Sequence, residues 1–123
     1  MNIVLGIVQT LLALHTAMGA AWKFSNPAEA SVPSLSAIPH SVWLGLSVVE
    51  IIASLVLIVA LFAKPLARFV PFAALFIAAE MILFVGVHVA SGEPNYSPVI
   101  YWLVVALVSA LLAAGRLARA HRP

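Results

Sequence analysis

"FVPFAALFIAAEMILFVGVHVA", residues 69–90, is apolar from end to end except for Glu80 and His88. At about 1.5 Å of rise per residue, a helix of this length crosses a hydrocarbon layer about 30 Å thick. Three more runs of the same character lie outward from it, at about 2–22, 42–63 and 98–117. Together the four occupy most of the 123 residues and leave no room for a separate soluble domain. The expectation is a single all-α domain over residues 1–123, a polytopic membrane protein built as a four-transmembrane-helix bundle.

Composition supports that reading. Apolar residues make up 64% of the chain and charged residues 8%, against about 25% charged in soluble domains, so a solvated surface cannot be assembled from it. Cysteine is absent, which removes disulfides, thiolate metal ligands and thiol relays. The start, "MNIVLG", has no charged stretch ahead of its apolar run, so the first run is expected to remain as a helix rather than leave as a signal peptide.

The basic residues are distributed by side. Lys64 and Arg68 lie between the second and third runs, and Arg116, Arg119 and Arg122 follow the fourth. Lys23 alone lies on the other side. This imbalance places both termini in the cytoplasm. The five are read as topology anchors, with contact to anionic lipid as a lesser role, and no nucleic-acid partner is implied. Trp22, Trp43, Tyr96, Tyr101 and Trp102 all fall at what becomes the outer interface, where amphipathic rings are favoured. Ser41 and Ser97 are placed to cap the second and fourth helices, and Pro71 fits the first turn of the third. The long connection 24–41, with Pro27, Pro33 and Pro39, reads equally as a spacer or as a lid over the outer ends.

Five polar residues carry the chemical interest: His15, Lys23, Glu50, Glu80 and His88. Glu80 and His88 are eight residues apart, two turns plus about 80°, so they can share a side of the bundle; His15 and Lys23 repeat that spacing. Acids at membrane depth face inward, and two at one depth resist ionising together. A network of Glu50, Glu80 and His15 is therefore expected, opening outward under Lys23, His88 and His40, with Lys23 read mainly as a snorkelling anchor. Inert interhelical hydrogen bonding by the same acids is the alternative. A metal is not expected, because the acid and histidine lack the i, i+3 spacing of di-iron bundles. Alanine stripes at 13, 17, 21 and at 106, 110, 114 are expected to bring helices close.

Taken in order, "MGAAWKF", "LGLSVVEIIASLVLIVA", "AAEMILFVGVHVASGE" and "YWLVVALVSALLAAGR" give the chain a family look. It resembles the DoxX-like family of small four-helix bacterial membrane proteins along nearly its whole length. The resemblance implies that Lys23, Glu50, His88 and Arg116 are recurring marks, and that Glu80 belongs to a subgroup. It also implies a link to quinone-dependent redox or oxidative-stress systems. The fold is similar to that of quinone-linked thiol oxidoreductases, whose cysteines this chain lacks.

Three functions stay open. The first is a small-molecule (quinone-like) binding or redox-accessory bundle, with a membrane or soluble redox partner and no complete catalytic constellation of its own. The second is a proton-coupled small transporter. The third is a structural or assembly subunit, including a homo-oligomer, held in the lipid bilayer.

Overall fold

The computed structural model describes residues 2–120, with the side chains of Asn2, Glu29, Arg119 and Ala120 outside the description. The chain is helical throughout. α1 (Asn2–Ser25) is followed by a one-turn α2 (Ala28–Ser31) and a 3₁₀ turn (Pro33–Ala37). Then come α3 (His40–Val59), a second 3₁₀ turn (Lys64–Phe69), α4 (Val70–Ala90) and α5 (Ser97–Ala120). The four long segments are each long and apolar enough to cross a membrane. Large apolar side chains such as Ile3, Leu11, Met18, Phe72, Ile82 and Leu107 point outward, the reverse of a soluble bundle.

The helix ends follow local chemistry, not always the residues expected. Pro71 does sit in the first turn of α4, where no intrahelical N–H is missed. Ser41, however, is not the cap of α3: the helix begins at His40 behind Pro39, with no side-chain cap bond. Ser97 is not the cap of α5 either. Its own N–H donates to Asn95 Oδ1 at 3.1 Å, so the asparagine two residues earlier takes the capping role. α3 also stops at Val59, short of 63, in a turn that leads to Lys64–Pro65. α4 ends through Gly92, whose φ of 76° is the left-handed conformation that closes a helix.

The helices alternate in direction. α1 packs on α3, α3 on α4 and α4 on α5, while α1 and α5 meet least of the four neighbours. One apolar cluster, including Leu12, Ala13, Leu57, Ile77, Leu112 and Ala113, fills the end that holds the chain termini. A second, including Leu35, Ile38, Trp43, Met81, Phe84 and Trp102, fills the end under the 26–39 connection. Trp43 and Trp102 are thus core residues rather than members of an interfacial belt, at 1% and 4% exposure. Each stands on the inward stripe of its helix, where a large ring covers the polar groups below it.

The alanine stripes also need correction. On α1 the buried positions are Gln9, Leu12, Ala13, Thr16, Ala20 and Lys23, while Ala21 is exposed. On α5 they include Trp102, Ala106, Ser109 and Ala113, while Ala110 and Ala114 are exposed. Steps of four residues drift by about 40° each around a helix, so alternating steps of three and four hold one face better. The close approach on α5 occurs instead at Gly115, where a Cβ would stand 2.8 Å from Leu5 Cδ2.

Candidate functional site

Glu50 on α3 and Glu80 on α4 lie where the two apolar clusters meet, and both are buried. Lys23, near the end of α1, reaches down to them. Its Nζ donates to Glu50 Oε1 at 2.8 Å and Oε2 at 2.6 Å. The same ammonium lies 5.2 Å from the Trp43 ring centre and 5.5 Å from that of Phe84, so two aromatic faces complete its surroundings. Lys23 is therefore no snorkelling anchor. Its flexible stem follows the inward stripe because a desolvated carboxylate and two rings wait there. Trp43 is held in turn by Nε1–H donating to Asn26 O at 2.9 Å.

Glu80 is within electrostatic reach of both Glu50 and Lys23. No donor reaches its carboxyl oxygens among the described residues, and its hydrogen-bonding neighbour is the Glu50 carboxylate. One cation and one anion already balance in Lys23–Glu50, and a second anion there would be unpaired. The cluster is neutral when Glu80 carries its proton. Glu80→Gln, which keeps shape and neutrality, is expected to change stability by less than about 1 kcal/mol. Unfolding in detergent measures this, and a loss several times larger would mean that Glu80 is an essential anion.

His15 does not join the acids. It is exposed on α1, and the Tyr101 hydroxyl on α5 is hydrogen-bonded to its Nε2, with ring centres 5.6 Å apart. Thr16, its neighbour, takes the inward position instead. The expected Glu50–Glu80–His15 network is thus replaced by Lys23–Glu50 with Glu80 beside it. His15 and Tyr101 remain within electrostatic reach of Glu50.

His88 was expected near the wet interface and is instead fully buried. Its Nε2 lies 2.6 Å from Asn95 O and its Nδ1 2.6 Å from Ser34 Oγ. A carbonyl can only accept, so Nε2 carries a proton and donates. With the ring neutral, Nδ1 then accepts from the Ser34 hydroxyl. Trp102 and Tyr96 flank the ring edge-on, at 5.6 and 6.1 Å. His88 thereby ties the 26–39 connection and the 91–96 turn to α4. His40 is exposed at the start of α3 and takes no part.

Gln9 escaped the sequence reading, which weighed ionisable groups only. It is 1% exposed, donates Nε2–H to Leu57 O at 2.6 Å, and accepts from Arg116 Nε at 2.9 Å. Arg116 is thus bound into the bundle end as well as being a candidate anchor. Lys64 and Arg68 are exposed, and Arg68 stacks on the Phe69 ring. The side chain of Arg119 and all of Arg122 lie outside the described residues. Among the described residues no three of His, Asp and Glu gather as metal ligands would.

Between α1 and α5, where the helices meet least, runs an apolar groove of about 330 Å³. Leu11, Leu12, Val104 and Val108 wall it, and His15 is the polar residue among the described ones that line it. No family model, no curated protein and no solved structure matches the chain.

Proposed function

We propose that the chain is a DoxX-like membrane bundle that binds a small quinone-like molecule and serves a redox partner, with both termini in the cytoplasm of a bacterial cell. The single observation that carries the reading is the His15–Tyr101 pair at an apolar groove that opens sideways from the bundle. A flat apolar ring fits such a wall, and a carbonyl oxygen at its edge needs a donor, which the hydrogen-bonded phenol–imidazole pair supplies with the one proton its own bond leaves free. A quinone brings two-electron chemistry when bound. The chain's own residues contribute binding, orientation and an apolar surround, and electrons must come from a partner. The excess of Lys64, Arg68 and Arg116 at the termini end supports the orientation.

Proton-coupled transport is less well supported. Between Glu50 and Glu80 on one side and Gln9 and Arg116 on the other stands the cluster of Leu12, Leu57, Ile77 and Leu112, and the buried hydroxyls on the same stretches, Ser54 and Ser109, are each bonded back to a carbonyl of their own helix. The test is organic extraction and native mass measurement of the chain purified gently from its own membranes. Stoichiometric quinone is expected in the wild type. Retention should fall about tenfold or more in His15→Leu with Tyr101→Phe, the loss of the hydrogen-bonded pair that donates to the head group. A wild-type preparation free of quinone, or equal retention in the double variant, overturns the reading; a stoichiometric protein in its place indicates an assembly subunit.

A further inference from the structure

Three basic side chains gather at the termini end of the bundle. All four acids of the chain lie elsewhere: Glu50 and Glu80 at the middle of α3 and α4, Glu29 in α2 and Glu93 in the turn after α4. Lys64 and Arg68, from the 3₁₀ turn before α4, and Arg116, near the end of α5, are gathered at this end. Here too is a cavity of about 410 Å³, and Gln9, Lys64 and Arg116 are among the residues that line it. Gly6, Ala60 and Ala67 leave the space by having small side chains or none.

Gln9 makes this more than a loose collection of charges. The Leu57 carbonyl fixes its amide by accepting from Nε2, so Oε1 must face Arg116 and accept from its Nε. A buried amide thereby sets the plane of a guanidinium at the wall of a cavity, with a lysine across from it. We propose that this cavity binds a phosphate-class anion, with Arg116 and Lys64 as the charged contacts and Gln9 as the positioning residue. A planar guanidinium and a compact ammonium are complementary to phosphate oxygens. An apolar groove of about 400 Å³ adjoins the cavity, sharing Gly6 and Leu61 with it and continuing along Ile3, Ile7 and Phe62. A chamber carrying two cationic side chains and an amide, adjoining an apolar groove, matches a phospholipid, head group inside and acyl chain along α1.

The test uses the full chain, delipidated in mild detergent, with phosphatidylglycerol, phosphatidylcholine and inorganic phosphate as probes and native mass measurement as readout. Phosphatidylglycerol is expected to be retained over phosphatidylcholine by about tenfold, the preference falling away in Lys64→Gln and in Arg116→Gln. Gln9→Leu, which keeps both charges, is also expected to weaken it. Arg68→Gln, which removes a cation outside the cavity, is expected to leave it unchanged. Because Lys64 is exposed, its variant folds even if the Arg116 variant does not. Competition by inorganic phosphate assigns the site to a free anion, and retention without competition assigns it to lipid. Equal retention of both lipids with no phosphate bound, or an Arg68 effect as large as that of Lys64, overturns the site.

Discussion

Lys23→Met is expected to destabilise the bundle by about 3–5 kcal/mol, because it leaves the Glu50 carboxylate buried and without its cation. Glu50 is 2% exposed, and both of its oxygens are bonded to Lys23 Nζ. Ser54 Oγ, one turn on, donates to the Glu50 backbone carbonyl instead and so cannot replace the lysine. Glu50→Gln creates the converse fault, an ammonium between Trp43 and Phe84 that Glu80 alone is left to neutralise. The double variant removes both charges together. It is expected to recover much of the loss, giving a coupling of about 2 kcal/mol or more in a double-mutant cycle. Reversible unfolding in mixed micelles measures all four proteins. Single losses that simply add in the double variant would show that the two groups do not depend on each other.

The helices were legible because length and hydropathy are properties of the chain in one dimension. Which side of each helix faces inward was much less so. The eight-residue spacing that linked Glu80 to His88 also linked His15 to Lys23, yet only the first pair is buried together. An offset of about 80° is tolerated on α4, the most enclosed of the four helices, and carries a residue out of the narrower buried stripe of α1. Lys23 was misread because depth was counted at the backbone, whereas a lysine's charge sits at the far end of its stem. Gln9 was passed over because an amide needs no counter-charge. Its two partners, Leu57 O and Arg116, belong to helices 48 and 107 positions away, and no local pattern announces them. The same holds for Tyr101 and His15, 86 positions apart. What the sequence did show was the supply of polar groups; their pairing is set by the packing of the helices.

His88→Ala is expected to loosen one end of the bundle while leaving the rest intact. The ring fills a fully buried position and bridges Ser34 to Asn95, so truncation opens a cavity and leaves the buried Ser34 hydroxyl and the Asn95 carbonyl without their partner. A local cost of about 2–4 kcal/mol follows from those two effects. Ser34→Ala removes one bond and little volume, and is expected to cost about 1 kcal/mol. The loss should concentrate in the 26–39 connection, where Leu35 and Ile38 pack beside Trp43 and Phe84 and where Ser34 is the side chain bonded to α4. Amide exchange separates the outcomes. The Leu35, Ile38 and Trp43 amides, which donate to Val32, Leu35 and Pro39 carbonyls, should exchange markedly faster in His88→Ala. Amides around Leu57 and Ile77 should not change, since the Leu12–Leu57–Ile77–Leu112 cluster does not touch the imidazole. Uniform acceleration would make His88 a keystone of the whole fold, and no acceleration would make the connection a spacer that the histidine does not hold. Selective acceleration would establish that one buried imidazole fixes the covering of the Lys23–Glu50 pair.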